Sequence, residues 1–230
     1  MFIISTKNQN KLNYCISLVE DIRMYHKSEL ICIVDSNSED KSYFEDLKRF
    51  QNIVICDVNN KNYCIGAYWH AYYLFPNEEF YYCFHDTIRV KSNLDNFKRK
   101  DLTTLFTFDR NTLNFEMTNW CIENLSLIGK NYKAENNALG VYGPIWMCKN
   151  WVMKKMLERK FNLILPKTKS ELEAMERVTG YFFDDLGLNI LENTLYGDIL
   201  QSESLTGKSG LHPHKTSWQY PIEKYYGGRK

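Results

Sequence analysis

Four short apolar runs recur through the first 90 residues: FIIST from Phe2, ELICIVD from Glu29, NIVICDV from Asn52 and EFYYCFHD from Glu79. Each is too short for a helix and too apolar for a strand with one wet face, so each suits a strand buried on both sides. The segments between them read differently. In KLNYCISLVEDIRMYH, the residues Leu12, Cys15, Ile16, Val19 and Ile22 recur at helical spacing. KSYFEDLKRF and YCIGAYWHAYYLF also suit helices, and SNSED closes the second run as a turn. Doubly buried strands alternating with helices predict a three-layer α/β/α fold around a mostly parallel central sheet. Right-handed crossovers then bring the four strand ends to one edge, where ligands of such sheets bind. Ser5 and Thr6, Asp35 to Ser38, Asp57 to Asn60, and His85 to Thr87 fall on that edge.

The second half is less regular. LTTLFTF reads as a strand and NWCIENLSLI as a helix, while ALGVYGPIWMCKNWVMKKMLERKF opens on glycines and turns helical from about Trp146. Pro166 breaks the chain. A further amphipathic helix, SELEAMERVTGYFFDDLGL, has Ser170 as its expected N-cap and Glu173 to complete a capping box. The tail from Gly207 onward carries glycine, proline and histidine and is expected to be irregular. With 230 residues and no evident linker, one domain is expected over 1–230, with a regular half at 1–95 and a less regular half at 96–230.

Composition excludes some classes of partner. A net charge of +1 offers no general field for nucleic acid or anionic lipid. The seven cysteines sit mostly in apolar runs and form no CxxC pair, which points to reduced thiols rather than disulfides or a zinc knuckle. No apolar run reaches membrane-spanning length, and MFIISTKNQNK lacks the features of a signal peptide. A soluble cytoplasmic protein without an integral membrane segment is the expectation.

The order of these elements resembles the A-fold (GT-A) glycosyltransferases, in particular their family 2-like group. In that group the first strand ends in a small polar residue, as IIST does here, and the second ends in an acid followed by Asn, Gly or Ser, as IVDSNS does. The third leads into an N-x-G-Y segment that opens a small-residue-rich helix, matched by NNKNYCIGAYWHAY. The fourth ends in an Asp-x-Asp metal motif, matched by FHDTIRV, where His85 and Thr87 flank a single acid and Asn62 stands in place of the glycine. The likeness covers about the first 90 residues well and the rest loosely.

What the resemblance implies is a transferase that moves a sugar from a UDP- or GDP-linked donor to a hydroxyl of a glycan, glycoprotein or lipid-linked acceptor. The resemblance implies an inverting reaction helped by Mn2+ or Mg2+; retaining chemistry, which needs no base, shares the same fold. Ser5, Thr6, Asp35, Asn37, Asn60, Tyr63, His85 and Asp86 become the nucleotide-sugar-binding residues, with Ser38 beside them; Asp35 suits an ordinary turn residue equally well. Asp86 becomes the metal ligand, with His212 or His214 of LHPH to complete the shell. Lys208, Lys215 and Arg229 are alternative cations for the diphosphate, or plain solvated charges. Inverting transfer needs a carboxylate to take the proton of the acceptor hydroxyl. Glu176 of the ER pair is the choice, with Glu173 paired to Arg177 beside it and Asp184 and Asp185 in reserve; a solvated helix face explains these charges as well. Tyr142 and Trp146 could stack on the acceptor sugar, though Trp146 and Trp151 equally suit a core.

Two other readings share the pattern. A degenerate transferase-like domain would bind a glycan or a protein without catalysis. A nucleotidyltransferase making nucleotide-sugars would carry a glycine-rich loop after the first strand, and STKNQNK has no glycine.

Overall fold

The computed structural model describes residues 1–7, 14–109, 114–131, 139–196 and 221–224. Its centre is a six-stranded sheet that follows the alternation read from the sequence. The strands β1 (Phe2–Thr6), β2 (Ile31–Ser36), β3 (Ile53–Val58) and β4 (Phe80–His85) are mutually parallel, in the spatial order β3-β2-β1-β4. Between them run α1 (Tyr14–Tyr25), α2 (Tyr43–Leu47) and α3 (Tyr63–Leu74). A strand's side chains alternate between faces, so each run feeds two cores. Ile3, Cys32, Val34, Tyr81 and Cys83 face α3. Phe2, Ile4, Ile31, Ile33, Tyr82 and Phe84 face α1 and α2. That is why the runs show no polar alternation.

Beyond β4 the chain forms β5 (Ile88–Val90), β6 (Leu102–Thr104), β7 (Thr107–Asp109), α4 (Phe115–Leu127), β8 (Leu139–Val141), β9 (Trp146–Lys149), α5 (Asn150–Glu158), α6 (Lys169–Asp185) and β10 (Ile222–Lys224). The central sheet is completed by β9, antiparallel to β4, and by β6, antiparallel to β9. Helices α4, α5 and α6 join α3 on one face, giving the three layers.

Four expectations need correction. Residues 146–149 are a strand, and the helix starts at Asn150: Trp146 and Cys148 enter one core while Met147 enters the other, an alternation only a strand provides. LTTLFTF splits into β6 in the main sheet and β7, which pairs with β8 in a separate ribbon. The N-cap of α6 is Thr168, two residues before Ser170; its Oγ1 accepts from the Glu171 N–H at 3.2 Å, and the Glu171 carboxylate accepts from the Lys167 N–H at 2.5 Å. Within the tail, Ile222–Lys224 is a strand against β5. All seven cysteines are free thiols. Among the described residues, no helix is long and apolar enough to cross a membrane.

Candidate functional site

Strand order reverses between β1 and β4: from β1 the chain builds outward through β2 to β3, then returns to place β4 on the other side of β1. Loops leaving the two adjacent strands diverge there and leave a crevice at the C-terminal edge. A cavity of about 650 Å3 opens at this point. Ser5 and Thr6 line it from β1, Ser36 and Asn37 from the end of β2, and Asn59 to Lys61 from the end of β3. Tyr63 and Cys64 come from the start of α3, His85 to Thr87 from the end of β4, and Lys167 and Leu172 from the approach to α6.

Of the residues named from sequence, Ser5, Thr6, Asn37, Asn60, Tyr63, His85 and Asp86 are thus brought together. The tips of β1 and β4 are tied directly: the Thr6 hydroxyl donates to Asp86 Oδ2 at 2.7 Å, and the Asp86 N–H donates to the Ser5 carbonyl at 3.1 Å. Asn60 ties the other wall. Its Nδ2 donates to Ser36 Oγ at 2.9 Å and to the Tyr63 carbonyl at 2.6 Å, while its Oδ1 accepts from the Asn62 N–H at 2.9 Å. A Cβ on Gly66 would overlap that Oδ1, so the α3 glycine admits the clamp. Asn37 and Tyr63, both on the cavity wall, hold positive φ of 63° and 52°, conformations that cost about 1 kcal/mol or more for non-glycine residues and cluster at binding sites.

Asp35 is placed differently. It is fully buried below the turn, and its carboxylate accepts from the Ser38 N–H at 2.7 Å, from Ser38 Oγ at 2.5 Å and from the Tyr43 hydroxyl. It shapes the loop that carries Asn37 and does not line the cavity. Burial, followed by this bond to Asp35, drives the Tyr43 hydroxyl far above its ordinary pKa.

Glu176 lies on α6 and is not among the residues that line the cavity. It is 9% exposed, and its Oε1 accepts from the Gly143 N–H at 2.8 Å. Burial pushes its pKa up to about 7, opposed by the Gly143 bond and by the charges of Lys224 and Arg177. Lys224, buried on β10, has its own pKa lowered by burial and partly restored by Glu176. Both charges act electrostatically on Cys64, which lines the cavity. Glu173 is not joined to the Arg177 side chain as expected. Arg177 donates to the Glu173 carbonyl, stands 3.9 Å from Glu176 Oε2 and covers the Phe108 ring at 4.5 Å. Asp185 is engaged elsewhere, by Lys130 at 2.9 Å and by Arg159.

Tyr142 and Trp146 do not line the cavity. Trp146 is 2% exposed, edge-on to Tyr68 at 5.1 Å and to Phe183 at 5.8 Å. Tyr142 carries the Lys224 ammonium over its ring at 5.0 Å and meets Phe106 and Phe108. His212, His214, Lys208, Lys215 and Arg229 lie outside the described residues. Reading the sequence missed Lys7, Lys61, Cys64, Lys167 and Lys224; only the lysines' position beside strand ends and a helix start could have marked the first, second and fourth.

Among the described residues, one group of three metal-ligand side chains stands within mutual reach: His26, Glu29 and Asp95. It lies at the opposite edge of the sheet, by the N-terminus of the chain. There the Lys98 ammonium already contacts Glu29 at 2.6 Å and Asp95 at 2.9 Å, and His26 Nε2 accepts from the Leu94 N–H. The cavity offers a divalent ion one carboxylate, Asp86, where such ions take several hard oxygens. The described residues therefore do not fit a carboxylate-held metal at this site.

No family profile and no curated protein matches the sequence. Among solved structures the chain is similar to S. aureus TarS 1-349, at 11% identity and a TM-score of 0.44, over 78% of this chain and 55% of that one. It thus spans about half the length of that structure. It is also similar to the galactosyltransferase LgtC in complex with donor and acceptor sugar analogues, at 11% identity and a TM-score of 0.43, over 79% of this chain and 70% of that one. An active-site mutant of LgtC matches at 10% identity and a TM-score of 0.43.

Proposed function

We propose that the chain is a glycosyltransferase that moves a sugar from a nucleoside-diphosphate donor to an acceptor hydroxyl with inversion. The observation that carries this reading is the cavity at the strand-order reversal, with its two chemically different walls. Its volume lies within the usual range for small-ligand sites, about 300–1,000 Å3. Ser5, Ser36 and Asn37 offer neutral donors and acceptors suited to a nucleoside. Lys7, Lys61 and Lys167, with the N-terminal turn of the 12-residue α3, offer positive charge suited to a diphosphate. Asn62, the N-cap of α3, makes no side-chain bond to that turn.

In the transfer, the acceptor oxygen forms a bond to the anomeric carbon as the bond from that carbon to the diphosphate breaks. The electron pair leaves with the nucleoside diphosphate, and the hydroxyl proton goes to a base. Glu176, the acid of the ER pair, is our assignment for that base, and burial, which pushes its pKa up to about 7, suits it to exchange a proton under neutral conditions. The acceptor is a hydroxyl of a glycan, a glycoprotein or a lipid-linked sugar.

The test is nucleotide-dependent thermal stabilisation with UDP and GDP, followed by donor hydrolysis across a panel of UDP- and GDP-sugars. Stabilisation by at least one nucleotide and turnover of its sugar are expected. No response to any nucleotide sinks the reading. Nucleotide binding with no turnover on any donor points instead to a binding domain built on the same fold.

A further inference from the structure

Charge at the cavity wall is unequal. Among the described residues, Lys7, Lys61 and Lys167 line the cavity with a single carboxylate, Asp86, and that carboxylate already holds the Thr6 hydroxyl. Lys61 and Lys167 are also kept together by the fold. Asn62 Nδ2 donates to the Pro166 carbonyl at 3.2 Å, pinning the loop before α3 to the loop before α6, and the two lysines are the immediate neighbours of the bonded residues. Among the described residues, neither Lys61 nor Lys167 forms an ion pair, whereas Lys41, Lys48, Lys91, Lys98, Lys130, Lys149 and Lys155 all do. Two exposed ammonium groups on one cavity wall, with no ion-pair partner among the described residues, raise the local potential in favour of an anionic ligand.

We propose that this cavity binds the diphosphate of its ligand without a divalent ion, and that Lys61 and Lys167, with Lys7, carry the charge a metal would otherwise carry. The proposal rests on the donor reading above for the identity of the ligand, and on the lysines alone for the manner of binding. It reverses the part expected of Asp86. As a metal ligand, Asp86 would be indispensable to diphosphate binding. In a lysine-lined site it is, among the described residues, the lining charge that repels the ligand.

The experiment is titration calorimetry of the whole chain with UDP, GDP and inorganic pyrophosphate, in EDTA and again with excess Mn2+ or Mg2+. Four proteins are compared: wild type, Lys61→Gln, Lys167→Gln and Asp86→Asn. In EDTA, wild type should bind a nucleoside diphosphate within about threefold of its affinity with metal. Each lysine variant should bind about tenfold more weakly, as expected for one charge-assisted contact, while apo thermal unfolding stays unchanged because neither side chain makes an ion pair. Asp86→Asn keeps an oxygen for the Thr6 hydroxyl and should bind at least as tightly as wild type.

Binding that appears only with added metal, or is abolished by Asp86→Asn in a folded protein, or is indifferent to both lysine substitutions, overturns the proposal. The two readings fail separately. Lysine-dependent, metal-free binding of pyrophosphate with no gain from any nucleoside sustains this proposal and sinks the donor reading. Metal-dependent binding of UDP or GDP does the reverse.

Discussion

Replacing Glu176 by glutamine tests whether this carboxylate on α6 is held near neutrality by burial. Its pKa is raised from the ordinary 4.5 to about 7, with burial outweighing the Gly143 N–H, Lys224 and Arg177, all of which favour the charged form. Because the folded value lies above the unfolded one, the folded protein keeps a proton between pH 4.5 and 7 that the unfolded chain has released. The resulting stabilisation is fully present below pH 4.5 and is lost as pH rises through 7. The separation corresponds to on the order of 3 kcal/mol, at about 1.4 kcal/mol for each tenfold change in proton affinity.

Glu176→Gln keeps an amide oxygen to accept from Gly143, at 2.8 Å in the parent, and abolishes the titration. Urea unfolding at fixed pH from 5 to 8 measures the consequence. Wild type should lose roughly 3 kcal/mol relative to the variant across that span. His26, whose pKa burial lowers, pushes stability the other way, upward as pH rises toward 6.5, but it does so in both proteins and cancels in the difference. Lys224 loses an attractive neighbour in the variant, so burial lowers its pKa further there; any titration of Lys224 within this span makes the variant gain stability as pH rises and widens the difference in the same direction. The slope is therefore diagnostic. Parallel curves for the two proteins would refute the account of Glu176, and with it the raised pKa that suits this residue to act as the base.

Asp21→Ala should cost about 2–3 kcal/mol in urea unfolding, because Asp21 accepts from both Nε and Nη2 of Arg89 and from the Val90 N–H, tying α1 to β5; an unchanged midpoint would remove that tie from the account. Trp146→Ala should cost about 3–5 kcal/mol, as loss of a core aromatic does; full stability with reduced transfer to acceptor would instead make Trp146 a sugar contact. Gly143→Ala should lower the thermal midpoint, since position 143 has φ of 64° and a Cβ there would overlap the Lys224 ammonium; the same substitution should raise the pH midpoint of transfer by drawing Lys224 away from Glu176.

The parallel half of the sheet was legible in the sequence because burial on both faces leaves a run with no polar position, and three helical segments separate the four runs. The antiparallel strand β9 was hidden. Its four residues run straight into Val152, Met153 and Met156, whose helical spacing extends backward over Trp146 when the chain is read without a partner strand. The capping error at α6 has a similar origin: Thr168 and Ser170 both precede acids at the right distance, and the bond made by the Glu171 N–H decides between them. Strand-end residues of the site could be named because chain direction alone puts them on one edge. Lys61 and Lys167 could not, since their proximity depends on one bond between loops more than a hundred residues apart. Asp35 offered both a turn and a ligand role to the sequence reader, and three donors from Ser38 and Tyr43 occupy its carboxylate.

The least legible element is the one that sets the charge beside Glu176. β5 begins two residues after Asp86, and its antiparallel register with β10 pairs Ile88 with Lys224. The strand that leaves the switch point therefore serves as the template for a short segment from the far end of the sequence. That segment delivers a buried cation over the Tyr142 ring, where Gly143 leaves room for it and Glu176 feels its charge. A lysine in IEK near the end of a chain looks like a solvated charge by every local criterion. Its desolvation is affordable only because a carboxylate with a raised pKa shares the same pocket of low dielectric, and each charge makes the other tolerable. The proton affinity of Glu176 is thus set by burial, against the Gly143 N–H and the charge of Lys224, a residue 48 positions away in the sequence, which explains why no local pattern around Glu176 foretold it.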